Sequence, residues 1–122
     1  MINAVLFDLD GVLLDSEVFY LNLKKILLGS HGIDWSDELA LKLVGKRFSL
    51  LLREIFSDRS EEEFAEIQAH YTALNDYPLE TLVMPHATEL LQALKDRSIR
   101  TVMATLSNSG KMNKVISYNH WE

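Results

Sequence analysis

Ile2-Asn3-Ala4-Val5-Leu6-Phe7-Asp8-Leu9-Asp10-Gly11 begins apolar and stops at two carboxylates and a glycine. A short apolar run ended by turn residues reads as a strand buried on both faces. The two aspartates then fall at the carboxyl end of that strand, where open α/β sheets place their ligands. Residues two apart on an extended chain share a face. Because the chain is turning here, Leu9 can enter the core while Asp8 and Asp10 approach one ligand. A carboxylate is a competent phosphoryl acceptor. Its charge repels an anionic ester, so such chemistry calls for a divalent cation, and Mg²⁺ takes oxygen ligands from carboxylates, carbonyls and the phosphate itself. The second aspartate can then protonate the leaving alcohol and later take a proton from water, provided its neighbours raise its pKa enough for it to hold a proton near neutrality. The plainer reading is a solvated turn, since Asp-Gly is common turn chemistry.

Beyond Ser16 the spacing becomes helical, with Val18, Phe19, Leu21, Ile26 and Leu27 running up to Gly29 and Gly32. Ser36 is placed to cap a helix that carries Asp37 and Glu38 in its first turn and ends near Gly45. A second helix is expected over residues 50–56. Ser60 and Glu63 have capping-box spacing ahead of a third, whose Phe64, Ile67, Tyr71 and Leu74 form one stripe. Pro78 interrupts, a further helix is predicted over 87–95, and residues 99–104 return to a strand centred on Val102. The final stretch, 107–122, is weakly periodic and reads as a helix or a frayed tail. The order strand, helices, strand predicts an α/β core made of residues 1–15 and 83–122, with a helical insertion over 16–82.

Composition sets bounds on partners. The chain has 122 residues, 48% apolar and 25% charged, a globular balance. Its net charge is −6 and its 12 basic residues form no run, which argues against nucleic acid and against a polybasic membrane anchor. No cysteine is present, so disulfides, thiolate metal sites and thiol nucleophiles are excluded. The amino terminus lacks a basic region and a long apolar stretch, and a cytoplasmic location is the expectation. His31, His70, His86 and His120 are scattered without ligand spacing, which speaks against zinc. Trp35 and Trp121 read as packing residues.

The full string Phe7-Asp8-Leu9-Asp10-Gly11-Val12-Leu13-Leu14-Asp15-Ser16-Glu17 closely resembles the first motif of the haloacid dehalogenase superfamily, in its phosphatase and β-phosphoglucomutase-like branch. The resemblance implies an incomplete Rossmann-like core of parallel strands with an inserted α-helical cap. It implies that Asp8 is the nucleophile, and that Asp10 is the acid/base whose carbonyl also binds Mg²⁺, so that both are metal ligands. The substrate would be a small phosphorylated metabolite. Asp15-Ser16-Glu17 is typical of members whose cap follows the first strand. Within the cap, Leu43-Val44-Gly45-Lys46-Arg47 resembles the segment that faces the active site, which puts Lys46 and Arg47 forward as substrate contacts. A solvated basic pair at a helix end is the alternative. The strand over 99–104 leads into Thr105-Leu106-Ser107-Asn108, where the family carries a hydroxyl for the transferring phosphoryl group. Thr105 is the first choice, with Ser107 and Asn108 behind it. Many relatives have Gly where His86 stands, a departure that concerns a turn. Tyr20 stands where mutases of the family commonly carry His, which argues against a mutase.

The resemblance runs to about Asn108, and the chain is expected to stop short of two further family motifs, one supplying a lysine and one an acidic metal ligand. Lys111 and Lys114 follow the second motif too closely to be that lysine, and Glu122 is the one candidate for the acid. Two expectations follow: poor activity of the isolated chain, and an open sheet edge that favours a homodimer or pairing with another polypeptide. A non-catalytic remnant that binds a ligand or a partner chain remains the competing reading. A response-regulator receiver is disfavoured, since the nucleophile lies on the first strand ahead of a long insertion.

Overall fold

The computed structural model describes residues 1–122. The elements run β1 (Ala4–Phe7), α1 (Ser16–Ser30), α2 (Asp37–Leu43), α3 (Phe48–Ile55), α4 (Glu61–Asn75), a 3₁₀ turn (Leu79–Thr81), α5 (Ala87–Asp96), β2 (Arg100–Met103) and α6 (Ser109–Asn119). They divide into two compact units. One joins Met1–Tyr20 to Pro78–Glu122, and the other is Leu21–Tyr77. The helical unit thus lies inside the 16–82 span read from the sequence, because the first turn of α1 and the segment from Pro78 onward pack with the α/β unit.

In the α/β unit, β1 and β2 pair in parallel with Ala4 opposite Arg100 and Phe7 opposite Met103. Parallel neighbours need a long crossover, and here everything between the strands supplies it. Leu9, Leu13, Leu14, Ala87 and Val115 form the buried core, with Phe7, Val83, Met84, Leu91, Met103 and Trp121 packed around it. The tail resolves as α6, begun by Asn108, whose side chain accepts from the Lys111 amide. Asn119 ties the far end of α6 to the carbonyl of Glu80 at 2.9 Å.

One expectation fails. The sequence reads β1 as buried on both faces, yet Leu6 is 68% exposed and, on the partner strand, Val102 is 44% exposed. The sheet has two strands only, so side chains of strand type have no layer over them on one side. Apolar composition predicts what a strand prefers to meet, not what covers it.

The helical unit follows its local signals closely. The Ser36 hydroxyl accepts from the Leu39 amide, and Ser60 with Glu63 closes a reciprocal capping box. Buried apolar residues come from all four helices: Leu23, Leu27 and Leu28, then Leu43, then Phe48 and Leu52, then Phe64 and Ile67, with Phe56 directly after α3. The histidines carry no metal-ligand spacing in the sequence, and in the fold His31 and His70 share a hydrogen bond of 3.1 Å between ring nitrogens, while Arg59 donates to the His31 carbonyl at 2.6 Å. The absence of zinc spacing said nothing about a pair 39 residues apart that the fold brings together. His86, ahead of α5, adopts a left-handed conformation with φ 65°. Only glycine enters this region without steric cost, so a glycine at this position, as the resemblance implies for relatives, would relieve it. No helix is long and apolar enough to cross a membrane.

Candidate active site

The site grows from the turn that ends β1. Leu9 is fully buried and its carbonyl accepts from the amides of Val12, Leu13 and Leu14, which locks a tight reversal of the chain. Gly11 makes the reversal possible. Its φ is +77°, and a Cβ there would meet Cγ of Glu17 at 2.7 Å. With Leu9 driven inward, Asp8 stays exposed while Asp10 is half-buried. Asp8 uses Oδ1 to accept from the Leu9 amide at 2.7 Å and leaves Oδ2 open.

Asp10 is densely bonded. Oδ1 accepts from Ser16 Oγ at 2.6 Å and from Lys111 Nζ at 2.8 Å, and Oδ2 accepts from Ser107 Oγ at 2.9 Å. Ser16 is itself fully buried, so the first residue of α1 serves this carboxylate from inside the fold. Burial works to raise the Asp10 carboxyl, but the bonds from Lys111, Ser16 and Ser107 and the charge of Lys111 outweigh it and hold the group below the ordinary carboxylate range. An acid/base at this position was expected to need a raised value. The opposite holds here, because a cation sits on the carboxylate. Burial likewise works against the Lys111 ammonium, and its bonds to Asp10 and Tyr20 more than compensate, so its pKa is raised.

Thr105 follows β2 just past the pairing of the Ala104 amide with the Phe7 carbonyl at 2.8 Å, which sets it alongside the end of β1. Its hydroxyl oxygen accepts from the Ser107 amide at 3.0 Å and keeps its own proton for donation. Ser107, not Thr105, touches Asp10. Asn108 spends its side-chain oxygen on capping α6. Lys46 and Arg47 are exposed residues of the helical unit, in the link between α2 and α3. The pair follows the C-terminal end of α2, where the dipole welcomes cations, and Arg47 also occupies the N-cap of α3 without a side-chain cap.

In the sequence Lys111 follows the second motif by too few residues to be the family lysine. The fold nevertheless delivers its ammonium to Asp10 and, at 2.9 Å, to the hydroxyl of Tyr20. Lys114, one turn on, pairs instead with Glu80 at 3.1 Å. The signal available was helical phase: Lys111 lies in the first turn after the Asn108 cap, at the start of the helix that follows the site strand. Glu122, the one candidate for a further acidic ligand, lines a cavity of about 410 Å³ with Arg100 and Thr101, at the opposite end of β2 from Thr105. No group of three or more His, Cys, Asp or Glu side chains is gathered for a metal. The donors that remain, the Asp8 carboxylate and the Asp10 carbonyl, offer oxygens only and suit a hard cation whose shell is completed by water and phosphate.

The family model for haloacid dehalogenase-like hydrolases matches residues 2–120. The chain is similar to the mitochondrial (DL)-glycerol-3-phosphatase 1 of Arabidopsis thaliana, 32% identical over 113 residues that cover 85% of this chain and 36% of that protein. It is also similar to the phosphoglycolate phosphatase of Aquifex aeolicus, 31% identical over 108 residues, 87% of this chain and 49% of the relative. Among solved structures, the β-phosphoglucomutase of Clostridium difficile superposes with a TM-score of 0.60 at 26% identity, covering 98% of this chain and 57% of that one. The chain therefore spans about half or less of the length of the curated relatives it matches. A strand-end pair of aspartates, a parallel partner strand carrying hydroxyls to the same place and a family match over nearly the whole sequence agree: the chain belongs to the haloacid dehalogenase-like hydrolases.

Proposed function

We propose that this chain carries the nucleophile-bearing half of a phosphomonoesterase acting on a small phosphorylated metabolite. The observation that carries the reading is Asp8, exposed at the end of β1 with one carboxylate oxygen open, beside an Asp10 that is fixed by three side chains. The names of the two similar phosphatases support the reaction class.

In this reading Asp8 Oδ2 attacks phosphorus, the ester P–O bond breaks, and its electron pair leaves with the alcohol oxygen, which takes a proton from Asp10. Water then attacks the aspartyl phosphate and gives a proton back to Asp10, and the Asp8–phosphorus bond breaks to release phosphate. The ionised Asp10 suits the second half. For the first it must gain a proton, and the arrival of an anionic phosphoryl group beside it favours protonation. Mg²⁺, held by Asp8 and the Asp10 carbonyl, would neutralise charge on the phosphoryl oxygens. Thr105 donates its free hydroxyl proton to one of them. With only two protein oxygens for the cation, the chain alone turns over slowly.

The test is release of phosphate from an aryl phosphate in Mg²⁺, by the chain alone and by the chain joined, fused or in trans, to the carboxyl-terminal part of a full-length relative. The joined form should be the faster, and Asp8→Asn should lower its rate by at least about a thousandfold. An unchanged rate in Asp8→Asn would remove the nucleophile from the scheme. A second reading, a non-catalytic protein that pairs with another chain, is favoured by the exposed Leu6 and Val102.

A further inference from the structure

Lys111 stands in the first turn of α6, where the helix dipole is positive and a cation has the wrong sign. Its side chain is only 19% exposed. Neither fact suits a lysine placed for solubility. Its position is set instead by two partners outside the helix, Asp10 Oδ1 at 2.8 Å and the Tyr20 hydroxyl at 2.9 Å. An ammonium has three donors, and these partners occupy two. Without Lys111, Asp8 and Asp10 would present two negative charges to any anion that approached the open oxygen of Asp8. With it the local charge is halved. Ser107, fixed to the other oxygen of Asp10, and Thr105, bonded to the Ser107 amide, connect the lysine and the free hydroxyl proton through one carboxylate.

We propose that Lys111 is a phosphate-binding cation of this site, its third N–H donating to a phosphoryl oxygen of the anionic substrate while its charge offsets one of the two aspartates. The inference rests on the reading of Asp8 as the phosphoryl acceptor, and it deepens that reading by assigning a residue to the anion. Tyr20 serves as a positioning residue that steers the ammonium through its hydroxyl.

Binding of inorganic phosphate, measured calorimetrically without metal, tests it in the full chain. Lys111→Gln keeps a side chain able to bond Asp10 and Tyr20 but removes the charge, and should weaken phosphate binding at least about tenfold, with a shallower salt dependence. Lys111→Arg should stay within about threefold of the wild type. Asp8→Asn should tighten binding by removing one repelling charge. If Asp8→Asn tightens binding while Lys111→Gln matches the wild type, the role of Lys111 is overturned and the phosphate site stands. If neither substitution has an effect, phosphate does not reach this site and both readings fall. A measurement on the unaltered chain guards against a variant that does not fold: phosphate should slow chemical acylation of Lys111 severalfold relative to Lys114. Equal acylation with and without phosphate would likewise overturn the proposal.

Discussion

The helical unit and the α/β unit differ in how far each covers its own apolar surface. In residues Leu21–Tyr77 every helix contributes buried side chains, and two of the four have side-chain caps, at Ser36 and Ser60. In the other unit the buried cluster lies around the Leu9–Leu14 turn and α6, while the strands themselves keep Leu6 and Val102 in solvent. Helices satisfy their backbone internally and need only one covered face. A two-stranded sheet satisfies half its backbone and covers neither face unaided. The difference teaches that the exposed apolar surface of this chain is concentrated on its strands, beside a turn that is itself well packed.

The largest expected effect sharpens that contrast. Phe56→Ala, deep in the helical unit, should cost about 3–5 kcal/mol in denaturant unfolding, whereas Leu6→Ala on β1 should stay within about 0.5 kcal/mol. Comparable losses at both positions would show that something covers β1 in solution. The open strands also predict association, with a second copy of the chain as the proposed partner. Sedimentation should show a dimer whose dissociation constant rises at least about tenfold in Leu6→Glu, and a wild-type monomer at high concentration would break this expectation. Next in size is the capping box, where Ser60→Ala should cost about 1 kcal/mol, seen as a lower unfolding midpoint.

The smallest effect concerns pH. Burial, then the electrostatic influence of His70 and of the Arg59 cation, hold the His31 imidazole below its ordinary 6.5, against an opposing pull from Glu66. The fold therefore prefers the neutral ring. Its contribution is complete above the unfolded value of 6.5 and is lost as pH falls through the lower folded value. Thermal midpoints of the wild type should decline as pH drops below 6.5, and His31→Gln should flatten that part of the profile. An unchanged slope in the variant would assign the loss to other groups.

What the sequence showed and what it hid follow one division. Ser36, Ser60 with Glu63, and the stripe of α4 act within a few residues, so spacing alone located them. The Asp8-Leu9-Asp10-Gly11 turn was equally local, and the parallel pairing of β1 with β2 followed from chain order and motif. The contacts of His31 with His70 and of Lys111 with Asp10 were invisible because they depend on where the fold returns the chain, 39 and 101 residues later. The exposure of Leu6 was hidden for a related reason: a strand's burial belongs to its neighbours, not to its own residues.

The bond from Ser107 to Asp10 joins residues 97 apart, and that separation orders events in time. Each helix between them can form from nearby contacts in microseconds, before β2 reaches β1. Closing so long a loop is entropically costly and gains little until the intervening helices have shortened it. The cluster around Asp10 is therefore a late product of folding: Asp10 and Ser16 are made together, while Ser107 and Lys111, which complete the bonding of the carboxylate, follow about a hundred residues later. Until then Asp8 rests on an unpaired strand, and a slowed step anywhere in the helical insertion lengthens the time the Asp10 cluster spends unassembled.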